Sequence, residues 1–389
     1  MNKPQIPGTV WALGFVSLLM DVSSEMIHSL LPIFMLGSLG AGATLIGLVE
    51  GVAEATALIV KIFSGALSDY LGKRKLLAIV GYGLGAASKP LFALALSSQT
   101  VFVARVVDRL GKGIRGAPRD ALIADVSPIE IRGAAFGLRQ ALDTIGAFLG
   151  PLLAVGLMLV WENDIRAVFW VAVVPGVLSV LLLSVGVKEP AITRGGCRTN
   201  PIGREYLARL SGAYWRVVAV GVIFSLARFS EAFLVLRALQ CGVSPAYSPL
   251  IMVAMNLVYA ASAYPFGKLS DRRSATYLLV GGLWVLISAD LILAIADSWQ
   301  ALVVGIGLWG VHMAMTQGLL AKLVADTAPD YLRGTAYGMF NLCGGVAMLL
   351  ASVLAGVLWD TLGAGATFLA GAMFCGLALL LIRVSRVSA

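Results

Sequence analysis

The chain has little of what a water-soluble domain needs. Charged residues make up only 13% of its 389 positions, against 59% hydrophobic. An ordinary soluble domain is about 25% charged and about 45–50% apolar. Histidine is almost absent, with only His28 and His312. The four cysteines, Cys197, Cys241, Cys343 and Cys375, have no CxxC spacing. No metal centre and no cofactor are expected from so sparse a set. The sequence lacks the GxxxxGK[ST] phosphate loop, Gly-x-Ser-x-Gly and His-Glu-x-x-His. Its loops are too short for an ATPase domain, so neither a primary pump nor an intramembrane hydrolase is expected. The first residues, MNKPQIPGTVWALGF, carry no small-x-small cleavage site and are expected to begin a first span.

What is present is a series of apolar stretches, each long enough to cross a bilayer as a helix of about 20 residues. Twelve spans are predicted, at 9–37, 44–70, 74–96, 99–125, 131–160, 165–187, 214–240, 245–270, 275–296, 299–325, 332–360 and 364–384. The fold class expected is therefore all-α and integral to a membrane. The longest polar stretch, 188–213, separates a first half at 1–187 from a second at 214–389.

The halves repeat one another. Residues 124–137 read ADVSPIEIRGAAFG and residues 325–338 read ADTAPDYLRGTAYG, at a constant offset of 201. Gly65, Leu67, Ser68 and Asp69 recur as Gly267, Leu269, Ser270 and Asp271. In a hydrophobic chain such repeats mark two pseudo-symmetric bundles with a site where they meet.

Basic residues gather on one side of the predicted topology: Lys73, Arg74 and Lys75, then the linker, then Lys268, Arg272 and Arg273, then Arg383 and Arg386. The opposite turns hold acids or nothing. By the positive-inside rule the termini and linker are expected in the cytoplasm, in a bacterial cytoplasmic (inner) membrane. The net charge of +8 thus follows topology, and the expected partner is the lipid bilayer, not nucleic acid.

Many ionisable residues fall at membrane depth in the first half. They are Asp21, Glu25 and His28 in span 1, Glu50, Glu54 and Lys61 in span 2, and Lys89 in span 3. Span 4 carries Arg105, Asp108, Arg109, Lys112, Arg115, Arg119 and Asp120, and span 5 carries Arg139 and Asp143. All but Asp120 of the span 4 set share about a third of the helix circumference. Each charge facing lipid near the midplane would cost roughly 2.5–3.5 kcal/mol, so they are expected to pair or to line a water-filled cavity. Depth places Asp21 and Asp143 near the middle, and makes pairing of Glu50 or Glu54 with Arg105 or Arg109 plausible. Released from such a pair in low dielectric, a carboxylate can carry a proton. The proton-coupling candidates are Asp21, Glu25, Glu54, Asp143, Arg105 and Arg109. Cavity candidates are Glu50, Lys112, Arg139, Arg228, Glu231, Asn256, Tyr259, Gln317 and Asn341. His312 is expected to be a satisfied interior histidine.

Three motifs complete the reading. GALSDYLGKRK (65–75) resembles the pattern GxLxDxxGRK, with Gly65, Asp69, Gly72, Lys73 and Arg74; GKLSDRR (267–273) echoes it with Gly267, Asp271 and Arg272 but without the second glycine. Span 5 spaces Gly137, Gly146 and Gly150-Pro151 as G(x)8G(x)3GP, followed by Ala154-Val155 in place of a Gly pair. Span 4 reads VFVARVVDRLGKG (101–113). Together with the two six-helix halves, these resemble the major facilitator superfamily of secondary transporters, over essentially the whole chain. The resemblance implies that Asp69 caps a helix end and pairs with bases to close the cytoplasmic side. It implies that the span 5 glycines form an antiporter motif and that an arginine of span 4, Arg105 or Arg109, takes part in proton coupling. It also implies a monomer moving a small organic solute by alternating access. Proton-coupled efflux is the expected direction, with proton-coupled import of an organic anion or metal chelate as the alternative.

Overall fold

The computed structural model describes residues 6–187, 209–270, 273–316, 318–329 and 332–385. The described residues are all-α, with no strand among them. Twelve long helical segments run in chain order: α1 (Gly8–Ser38), α2 (Ala43–Leu71), α3 (Arg74–Ala93), α4 (Ser98–Val126), α5 (Arg132–Val160) and α6 (Ile165–Gly186), then α7 (Gly212–Gln240), α8 (Leu250–Ser270), α9 (Ala275–Ile295), α10 (Trp299–Thr316), α11 (Arg333–Leu362) and α12 (Ala364–Ser385). Eleven are long and apolar enough to cross a membrane; α4 matches them in length but not in apolarity, because it carries the span 4 charges.

Local chemistry sets the boundaries. Ser97, Asp164, Ser211 and Ser274 cap α4, α6, α7 and α9, each accepting a hydrogen bond from a first-turn backbone N–H. Gly72 closes the turn between α2 and α3 at φ +61°, a conformation that costs glycine little.

Three expected spans are less regular than drawn. Regular helix in α1 stops at His28, resumes briefly at Leu31–Ile33 with Pro32 in its first turn, and ends in a π-helical turn at Phe34–Ser38. The backbone of α7 breaks at 228–231, where Ser230 N–H bonds to Ser352 Oγ at 3.2 Å and leaves the helical ladder. Span 10 ends early: α10 stops at Thr316, Gly318 takes a left-handed φ of +85°, and a short helix follows at Leu319–Thr327.

The helices cluster into two compact units, Met1–Phe34 with Thr56–Thr199 and Met35–Ala55 with Asn200–Ala389. In the first unit α1 packs on α5 and α6, and α3 on α4 and α6. Gly81 and Gly111 face each other so closely that a Cβ on either would lie within 2.7 Å of the other's carbonyl oxygen. The core includes Leu13, Val16, Met20, Tyr82, Ile123 and Leu183.

The second unit packs α9 on α10 and α12, and α7 on α11 and α12. Its aromatic centre is Phe229, whose ring lies 5.5–5.6 Å from those of Phe233, Trp309 and Phe368. The start of α2 belongs to this unit. Ala43 and Thr44 donate their backbone N–H groups to the Asp360 carboxylate at 3.0 and 2.8 Å. An anion at a helix N-terminus satisfies groups the helix itself leaves open.

Candidate functional site

The charges of the first unit sort into three groups. The deepest surrounds Asp108 on α4. Lys89 reaches it from α3 at 2.7 Å and also donates to Ser24 Oγ at 2.9 Å. Arg105 and Arg109, one turn before and one residue after Asp108, approach at 3.9 and 4.0 Å. All four are at most 4% exposed. Three bases around one acid at this depth supply the counter-charge that a buried carboxylate requires.

The second group lies between α1 and α5, and glycine makes it possible. A Cβ on Gly146 would stand 3.0 Å from Cβ of Asp21 and 2.7 Å from the Leu18 carbonyl oxygen. One on Gly150 would stand 2.8 Å from Cβ of Glu25. Two members of the span 5 motif therefore bring the α1 backbone against α5 where α1 carries its acids. Gly137 is exposed with nothing within 4 Å, and Pro151 is buried within α5. Asp143, one turn before Gly146, pairs with Arg139 at 2.9 Å and lies 4.0 Å from Arg119. Asp21 makes no hydrogen bond or ion pair among the described residues. The charges within its electrostatic reach are Asp143, Arg115, Lys112 and Arg119. Glu25 bonds His28 Nδ1 at 3.3 Å. Lys112 is exposed, within reach of both α1 acids.

The third group lies near the helix ends. Arg119 donates to Asp120 at 3.1 Å and to Ser17 Oγ at 3.0 Å. Arg115 sits over the Tyr82 ring at 4.7 Å. Arg74, from the 65–75 motif, pairs with Asp125 and donates to the Ala121 carbonyl at 3.0 Å. Lys73 precedes α3, and Gly65 sits at ordinary contact distance from Ala117. The Asp69 side chain, Asp271, Arg272 and Gln317 lie outside the described residues, and Gly267 has open space around it.

In the second unit Arg228 and Glu231 stand at the break in α7. Glu231, Tyr259 of α8 and Glu54 of α2 lie within electrostatic reach of Arg228. Glu50 is buried, and both α2 glutamates cluster with this unit. Asn256 and Asn341 are half-buried. His312 is fully buried; its Nδ1 donates to the Gly282 carbonyl at 2.8 Å, while Nε2 has no partner among the described residues. It is thus satisfied on one nitrogen only.

The Lys89–Asp108 pair stands outside the candidate set drawn from the sequence. Its signal was there: two oppositely charged residues at matching depth in adjacent antiparallel spans. Asp360 gave no such signal, because its partners are backbone groups 316 and 317 residues away.

A family model of the Major Facilitator Superfamily matches residues 13–240 and 217–388. The chain belongs to the major facilitator superfamily. It is 33% identical to an uncharacterized MFS-type transporter of Methanocaldococcus jannaschii, over 98% of this chain and 96% of that one. It is 25% identical to the quinolone resistance protein NorA of Staphylococcus aureus, over 92% and 91% of the two chains. Among solved structures, a bacterial homolog of the human lysosomal transporter Spinster superposes with a TM-score of 0.80 at 16% identity, covering 100% of this chain and 98% of that one. The chain is a membrane-embedded superfamily transporter of a small molecule and not an enzyme.

Proposed function

We propose that the chain exports a small organic solute in exchange for protons, with Asp21 and Asp143 as the proton-carrying pair. The observation that carries this reading is the contrast between two neighbouring carboxylates. Asp143 is tied to Arg139, and Asp21 has only longer-range charges around it. A base that moves between them would couple protonation to helix position. The two glycines that seat α1 on α5 support an antiporter, as does the likeness to a quinolone resistance protein.

Glu25, Glu54, Arg105 and Arg109 are secondary to this pair. Arg105 and Arg109 hold Asp108. Arg228, Glu231 and Tyr259, gathered at the break in α7, are the solute-contacting candidates of the second unit. The transporter acts as a monomer in a bacterial cytoplasmic membrane with both termini inside, which the one-sided distribution of loop bases supports. Import of an organic anion is a second reading, favoured by the exposed Lys112 beside the α1 acids.

The test is transport in liposomes with an internal pH dye and a panel of organic anions, cations and lipophilic drugs. Wild type should give a substrate-triggered pH change that Asp21→Asn or Asp143→Asn abolishes while Glu54→Gln retains it. The sign of the change separates export from import. Counterflow of a solute with no pH change in wild type would refute proton coupling and leave a uniporter or exchanger.

A further inference from the structure

The second unit carries an apolar groove apart from the charged residues described above. It has a volume of about 770 Å³ and lies between α9 and α12, lined by Val280, Trp284 and Ile287 on one side and Met373, Leu377 and Leu380 on the other. Its walls are apolar and open: Trp284 is 60% exposed and Met373 59%. Its floor is Gly376, where a Cβ would meet no atom within 4 Å.

The two helices run antiparallel, since Gly365 lies against Ala294 and Gly371 against Asp290. That brings the last turn of α12 to the beginning of α9. Arg383 lines the groove at this end and makes no hydrogen bond or ion pair among the described residues. Arg273, just ahead of α9, has one side-chain contact there, over the Tyr277 ring at 5.7 Å.

We propose that this groove is a binding site for one anionic phospholipid, its acyl chain lying over Gly376 and its headgroup held by Arg383 and Arg273. Loop topology accounts for arginines on this side of the membrane. It does not account for one that lines the open end of an apolar channel and another just ahead of α9, neither with an acidic partner among the described residues. An anionic headgroup would supply acceptors to both guanidiniums, and basic sites between membrane helices recognise such headgroups. A second protein chain fits less well, because the lining offers no polar side chain except the arginine.

The experiment is native mass spectrometry and thermal unfolding of the purified full chain, relipidated with phosphatidylglycerol or with phosphatidylcholine. Wild type should retain one phosphatidylglycerol and be stabilised by it in preference to phosphatidylcholine, with affinity falling about fivefold for each arginine removed. Arg273→Gln with Arg383→Gln should erase the preference. Gly376→Leu should lose the retained lipid while its lipid-free unfolding midpoint stays at the wild-type value, since the new side chain enters open space. Equal retention of the two lipids by wild type would overturn the proposal. So would a preference untouched by both variants, or a dimer mass that Gly376→Leu abolishes, which would place a second copy in the groove. These readouts need no substrate, so they stand or fall independently of the transport reading.

Discussion

In the first unit Asp108 is buried with Lys89 at 2.7 Å and two arginines at about 4 Å. In the second, Asp290 is fully buried and neither carboxylate oxygen has a hydrogen-bond partner among the described residues. Nε1 of Trp309 and Nε2 of His312 share that condition. Asp108 thus sits among three bases, whereas Asp290, Trp309 and His312 each keep a buried polar atom without a hydrogen-bond partner among the described residues. A group in a satisfied network is costly to remove, because it strands its partners; an isolated one strands nothing.

The largest effect that could break this comparison is at Asp108. Asp108→Asn should destabilise the protein by about 3–5 kcal/mol, since three bases lose their shared counter-ion. A companion Lys89→Met should recover part of that loss. Thermal unfolding of the single and double variants checks both, and additive losses would show that the pair is not a unit.

Next comes Gly150→Ala, whose new methyl meets Glu25 Cβ at 2.8 Å and the Val22 carbonyl at 2.9 Å. It should cost about 1–3 kcal/mol of stability, a typical overpacking penalty. It should also impair solute-driven proton movement, read in the same liposomes. Smaller still are the caps. Asp164→Ala in the first unit and Ser274→Ala in the second should each cost about 1 kcal/mol. Equal losses would mean that the contrast between the units lies in their interiors and not in their helix ends.

The smallest effect is expected at Trp309→Phe. The buried indole N–H, without a partner among the described residues, is an existing penalty of about 1–3 kcal/mol, and its removal offsets the packing lost with the larger ring. Stability should therefore stay near the wild-type value. A loss as large as that at Asp108 would show that the second unit holds its polar atoms as tightly as the first.

Much of this was legible in the sequence. The twelve spans, the repeated halves and the superfamily follow from hydrophobic length and turn motifs, which are local properties. So does the crowding of charge in α4. The partners of those charges were not legible, because which base meets Asp108 depends on how α3 and α4 are rotated about their axes. Depth alone favoured Glu50 or Glu54 for Arg105 and Arg109. Both arginines also approach Asp108, a neighbour on their own helix that depth did not single out. The break at 228–231 was hidden for a different reason. It contains neither Pro nor Gly, and the Ser352 hydroxyl that stabilises it lies 122 residues on.

The glycines beneath Asp21 and Glu25 have a genetic consequence. Where the two acids stand is set by what Gly146 and Gly150 lack. Any side chain introduced there pushes the acids out of place without touching a charge. A selection for variants that have lost transport should thus recover substitutions at two positions with no chemistry of their own. Those variants should match the acid substitutions in phenotype, and reversion by a second, smaller residue on α1 would identify them.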